Sequence, residues 1–261
     1  LFLKSDITIE LAKDATVLAI PEKDKIPVLP GLTLSYDEKD EYNLGTWEGN
    51  PLDMYAAIIT GLHVSNVTLC GQGAIDGNAS HDNWWANPKN NPINRPRLIF
   101  LNHCSNISIH GITLRNSPSW SLHPYFSNEL RFIDLSVINP KDSPNTDGIN
   151  PESCKDVDIV GVYFSLGDDC IALKSGKIYM GAKYKKPSEN ITIRQCNMHD
   201  GHGAVTIGSE IAGGVKNVKV TECRFDNTDR GLRLKTRRGR GENSVVEQLY
   251  FNNIEMNNVL S

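Results

Sequence analysis

The 261-residue chain predicts an all-β fold, a solenoid of the parallel β-helix type, and three observations carry that expectation. Segments beginning at Ile107, Leu130, Val157, Ile191, Val218 and Leu249 share apolar residues at offsets 0, 2, 5 and 7. These segments lie only 23 to 34 residues apart and show no helical periodicity, so none can bury itself and all must stack. Twenty-five asparagines beside 21 glycines supply the tight turns that such a chain of short strands needs.

Each repeat is justified in the same way. Offsets 0 and 2, such as Val157 and Ile159, alternate as a short strand with one face inward. The break of phase marks a corner, and offsets 5 and 7, such as Val162 and Phe164, make the next strand. All the offset positions are apolar in all the segments, a coincidence of about 10⁻¹⁰ at this composition before allowance for choosing the register. Offset 9 is Asn116, Asn139, Asn227 or Asn258, or Asp200, as a recurring turn requires. A weaker copy begins at Val67 and Leu69, and the first residues also alternate as a strand would.

A third strand follows the turn at 170–174, 204–208 and 231–235, with Ile171 and Leu173, Val205 and Ile207, Leu232 and Leu234 as inward pairs. Two segments depart from the repeat. Ser175 to Glu189, rich in Lys and Tyr, is expected to be a loop on one face. Asp76 to Arg95 is expected to be another, its Trp84 and Trp85 forming either a lid on the core or a platform for sugar rings. No second domain is indicated, so 1–261 reads as one β-helix domain whose pattern is already running at both ends.

Composition narrows the function. No apolar run is long enough to span a bilayer, and the compartment stays open. A net charge of −4 argues against a nucleic-acid surface. The six cysteines stand far apart with no C-x-x-C pair, which suits buried free thiols better than a zinc site.

Stacking turns register into distance, because neighbouring coils lie roughly 4.8 Å apart. With Ile149, Ile171, Val205 and Leu232 aligned, Asp147 falls beside Asp169 and Asp168 beside His202. Arg233 and Lys235 come one coil further on, facing outward. Three crowded carboxylates favour retention of a proton near neutrality, which suits a general acid beside a general base and hence glycoside hydrolysis. The run Arg230 to Arg240 has six basic residues and no acidic one, and Arg grips carboxylates, so an anionic sugar polymer is the expected partner.

At these residues the sequence resembles glycoside hydrolase family 28, the polygalacturonases and related pectin-cleaving enzymes. The matching motifs are Asn145-Thr146-Asp147, Gly167-Asp168-Asp169, Gly201-His202-Gly203 and Arg233-Leu234-Lys235. The resemblance implies a right-handed, single-stranded parallel β-helix and inverting hydrolysis of α-1,4-linked galacturonic acid, without metal or organic cofactor. It implies Asp168 as general acid, Asp147 and Asp169 as the pair that activates water, His202 as the partner of Asp168, and Arg233 with Lys235 as the uronate clamp. The insertion at 175–189 suggests attack from chain ends on an oligogalacturonide or polymer. Two rival readings are a calcium-dependent pectate lyase, with the three aspartates as ligands, and a non-catalytic pectin-binding β-helix.

Overall fold

The structure, a computed structural model, describes residues 1–31 and 44–261. Its frame is a parallel β-helix, with coils beginning at Ile7, Val67, Ile107, Leu130, Val157, Ile191, Val218 and Leu249. Offset-0 residues pair one above another, Ile107 with Leu130, Leu130 with Val157, Val157 with Ile191, and so to Leu249. Offset-7 residues do the same from Leu114 through Val137, Phe164 and Met198 to Phe225 and Met256. The expected repeat therefore holds, and the copies from Val67 and Ile7 join it. The inward residues from Val67 to Phe225 merge into one core, whereas in the last coil Met256 is exposed.

Two left-handed corners per coil make this register. The residue before offset 0 has positive φ in every coil: Asp6, Asn66, Asn106, Glu129, Asp156, Asn190, Asn217 and Gln248. Offset 4 does so as well, at Gly111, Asp134, Gly161, Gln195, Glu222 and Asn253. At Gly161 a Cβ would lie 2.2 Å from Asp134 Oδ1, so the corner needs glycine there. The corner side chains form ladders, with Asn190 Nδ2 donating to Asp156 Oδ1 at 2.7 Å and Asn217 Nδ2 to Asn190 Oδ1 at 2.7 Å. The offset-9 turn is left-handed at Asn116, Asp200, Asn227 and Asn258. Asn139 differs: it is buried, accepting from the Ser117 backbone N–H and donating to Ser121 Oγ at 3.0 Å.

The third face carries the site. It runs through Ile59–Leu62, Ile99–Asn102 and Leu122–Tyr125, passes Ile149 and Glu152 by single bridges, and continues through Asp169–Leu173, Gly203–Gly208 and Leu232–Lys235. Leu232 packs on the core as expected, but Leu234 is 61% exposed because Leu232–Lys235 is the outermost strand of its sheet among the described residues.

Of the two departures, 76–95 is the expected loop, whereas the insertion is more ordered than one. The insertion contains an α-helix, Ile178–Tyr184, with Met180 and Gly181 buried. Gly181 lies against Ala212, where a Cβ would clash at 2.4 Å, and Tyr184 meets Phe126 edge-on. Trp84 and Trp85 are buried with Ala79, and Trp85 Nε1 donates to the Ser117 carbonyl, so they act as the lid and offer no open face to a sugar. All six cysteines are free, and all but half-buried Cys70 are buried.

If core filling along the offset-7 ladder dominates stability, Phe164→Ala should cost about 3–5 kcal/mol. Asn190→Ala, which removes two exposed ladder bonds, should cost about 1 kcal/mol. Urea unfolding of both variants checks this order.

Candidate active site

The expected register is the observed one. Asp169 pairs with Gly203, so Asp168 stands beside His202, and the Ile149–Ile171 bridge sets Asp147 beside Asp169. Asp147, Asp168 and Asp169 each offer a carboxylate oxygen, all within 4.8 Å of one another. They line a cleft of about 170 Å³ together with Glu48, Trp120, Asn145, Lys174, Glu210, Lys235 and Arg237. Gly203 lets Asp169 lie down on the next coil, since a Cβ there would sit 2.7 Å from Asp169 Oδ1.

Each carboxylate has its own surroundings. Asp147 is buried and accepts from Asn150 Nδ2 at 2.8 Å. Burial, then the charge of Asp168, pushes its carboxyl well above the usual range, with Lys174 opposing. Asp169 is buried with Arg233 Nη1 3.7 Å from its Oδ1, and burial followed by Asp168 raises it too, against Lys174 and Lys235. Asp168 is the most accessible, its side chain 20% exposed, with His202 Nδ1 3.3 Å from Oδ1. Burial works to raise Asp168, but the hydrogen bond and charge of His202, helped by Lys174, hold it below the usual range. His202 is correspondingly raised, chiefly by the hydrogen bond it donates to Asp168.

The crowding therefore raises Asp147 and Asp169, and leaves Asp168 below its ordinary range. Asp168 is spared because it accepts a hydrogen bond from His202, whose charge adds to that of Lys174. Arg233 and Lys235 stand where the sequence sets them, on the outward side of the third face beside the triad.

A second layer lies beneath, absent from the motif reading. Arg97 is fully buried, stacked between Trp47 and Trp120 and donating to Ser119 Oγ at 2.8 Å. Burial pushes its guanidinium down to about 9. His123 Nε2 and Glu152 Oε2 are 3.0 Å apart, and burial raises Glu152 to about 7. Lys174 Nζ donates to Glu210 Oε2 at 2.9 Å. Arg95 reaches from the end of the 76–95 segment to donate to Asn145 Oδ1 at 2.6 Å and to the Pro118 and Pro144 carbonyls. That grip fixes Asn145, which has positive φ two residues before Asp147.

The sequence signal for this layer was the register itself. The outward column that ends in Lys235 contains Gly208, Lys174, Glu152, Tyr125 and Asn102 at corresponding positions of earlier coils.

A β-helix whose outer face gathers three carboxylates, a histidine and two basic side chains defines a class of proteins with an acid/base cleft beside positive charge. The comparisons narrow the class. The family described as Glycosyl hydrolases family 28 matches residues 8–261, and the chain belongs to it. A probable polygalacturonase of Vitis vinifera is 34% identical over 97% of this chain and 50% of its own length. An endo-polygalacturonase of Pectobacterium parmentieri is 33% identical over 78% of this chain and 51% of its own. The crystal structure of an exopolygalacturonase from Thermotoga maritima superposes with a TM-score of 0.80 at 28% identity, covering 98% of this chain and 64% of that one. The chain spans about half the length of the curated relatives it matches.

The Asp168–His202 pair has a direct consequence. Histidine NMR should show His202 titrating above its ordinary midpoint, and Asp168→Asn should lower that midpoint, because the main cause of the raise is then gone. With a raised folded value, the pair's contribution to stability is full below the unfolded histidine value and is lost as pH rises through the folded one. An unchanged His202 midpoint in the variant would contradict the pairing.

Proposed function

We propose that this chain hydrolyses α-1,4-galacturonosyl linkages of pectic polysaccharide by inverting acid/base chemistry. The observation that carries the reading is the triad within 4.8 Å, flanked by Arg233 and Lys235. Family membership supports the same reaction class.

Arg233 and Lys235 meet the uronate carboxylate and hold the sugar at the scissile bond. Asp168 is the acid, because it is the triad member with an open face and a proton-bearing partner. The hydrogen bond between His202 and Asp168 lets a proton pass from one to the other, and the pair's own shifts favour the imidazole. A sugar covering Asp168 removes its remaining water, disfavours the carboxylate, and brings the proton onto Asp168. Asp168 then gives it to the glycosidic oxygen as the bond to the anomeric carbon breaks. Asp147 and Asp169 take the proton of the attacking water, whose oxygen completes the new bond.

Facing acid and base carboxylates in inverting enzymes are usually about 6.5–9.5 Å apart, to leave room for water between them. Here the nearest carboxylate oxygens lie within 4.8 Å of one another, so the wider spacing has to come from side chains that diverge into the cleft around substrate and water.

We further propose attack from chain ends. The turn at Glu48–Gly49 docks on the start of the insertion, with Lys177 N–H donating to the Gly49 carbonyl at 2.9 Å and Lys177 Nζ 3.7 Å from Glu48. Glu48 lines the cleft, so this contact builds a wall at one edge. The helix packs on Phe126 and Ala212, and the residue before it, Lys177, makes the contact with the wall. The three aspartates also offer the oxygens a divalent cation would use, the pectate-lyase alternative. Lys174, Arg233 and Lys235 already supply positive charge at that place, which favours the hydrolase.

On oligogalacturonides, turnover should survive a chelator and yield reducing ends without an ultraviolet-absorbing unsaturated product, released as mono- or digalacturonate while polymer viscosity falls slowly. Chelator-sensitive formation of unsaturated product would overturn the hydrolase, and rapid viscosity loss would overturn chain-end attack.

Asp168→Asn should lower kcat by about a thousandfold with oligosaccharide affinity kept within a few fold. Arg233→Ala and Lys235→Ala should weaken charged galacturonan far more than its methyl ester. Equal losses on the two substrates would make these residues structural.

A further inference from the structure

We propose that Lys174 is a positioning residue that keeps the buried water-activating pair Asp147 and Asp169 supplied with negative charge, and that Glu210 sets how strongly it does so. The inference rests on the reading of Asp147 and Asp169 as the base, but it is tested below by a measurement that needs no turnover.

The placement is specific. Lys174 follows the strand Asp169–Leu173 and bridges Glu152 of the preceding coil, in the outward column that continues through Gly208 to Lys235. The lysine is 5% exposed, donates to Glu210 Oε2 at 2.9 Å and lies 4.7 Å from the centre of the Trp120 ring. Trp120 also carries Arg97 at 4.2 Å, so the ring fixes two buried cations to the cleft floor.

Burying an ammonium is costly unless anions face it, and Glu210 alone would satisfy that need. The structure sets more than one there, because Lys174 lines the same cleft of about 170 Å³ as Glu210, Asp147 and Asp169. The charges that act on Lys174 are Glu210, Asp147 and Asp169, which together outweigh burial and raise it. Lys174 in turn acts on Asp168 and on Glu152, the latter also facing Arg97 and Lys177. Lys235 assists at Asp169, and His123 is held neutral by burial beside Arg97 and Lys174. Glu210 shows how much of the lysine it takes up: burial works to raise it, but Lys174, with Ser209, holds it at about 2.

Three carboxylates this close would otherwise keep protons that a base must not have. Arg233 is 3.7 Å from Asp169 but is proposed to turn to the substrate carboxylate, which would take its charge away from the pair. Lys174 is committed to the protein and remains.

The sign of each substitution follows. Lys174→Met removes the cation and should move the Asp147/Asp169 titration upward by about half a pH unit or more. Lys174→Arg should restore it. Glu210→Gln leaves the lysine uncompensated and should move it downward. Carbon-detected NMR titration of ¹³C-labelled aspartate carboxyls in the full chain reads these midpoints directly, with circular dichroism to show that each variant is folded.

The acid limb of kcat/KM on oligogalacturonides should follow the same order. A merely structural lysine would lower activity at all pH values without moving the limb. Unchanged carboxyl midpoints in Lys174→Met would overturn the proposal. Should that variant fail to fold, unchanged midpoints in Glu210→Gln would overturn it equally. Shifted midpoints in a protein that cleaves no galacturonan would leave the role of Lys174 standing and refute the hydrolase reading instead.

Discussion

Everything in this molecule depends on the fixed register between coils. Two left-handed corners per turn, with their side-chain ladders, return the chain to the same place one strand spacing higher. That constraint stacks Ile107 on Leu130 and Val157 inside, and with equal rigour it stacks Asp147 beside Asp169 and Asp168 beside His202 outside. A one-residue slip would send the inward apolar residues to solvent and scatter the triad, so core packing and chemistry are protected by the same hydrogen bonds.

The crowding of the triad is unfavourable on its own terms. Two of the carboxylates are buried where ionisation is resisted, and the third is held below its usual range by the hydrogen bond and charge of His202 together with Lys174. Arg97, Lys174, Arg233 and Lys235 form the positive surroundings that make such a cluster compatible with folding. The cleft is a place where protons are held out of their usual order, which acid/base catalysis requires.

Much of this was legible in the sequence. The apolar offsets gave the coils, and alignment of Ile149, Ile171, Val205 and Leu232 gave the neighbours of Asp168 and Asp169 without any structure. The Asn-rich corners were visible as composition, but their true positions were hidden, because corner duty also falls to Glu129, Gln195 and Gln248. The helix Ile178–Tyr184 escaped because seven residues show too little periodicity to separate from a loop. The role of Trp84 and Trp85 was open because a tandem of tryptophans suits a lid as well as a platform. Lys174, Glu210, Asn150 and Arg97 carry no motif and become significant only when the outward columns, and not just the inward ones, are read across coils.

The most direct test of the account is the anomeric configuration of the first product. Proton NMR of an oligogalacturonide digest, recorded before mutarotation, resolves the two anomers of the newly released reducing end. Direct attack by a water held on Asp147 and Asp169 predicts that the β-anomer appears first from the α-linkage. Initial appearance of the α-anomer would mean that one of the aspartates attacks the sugar itself, and would contradict the account.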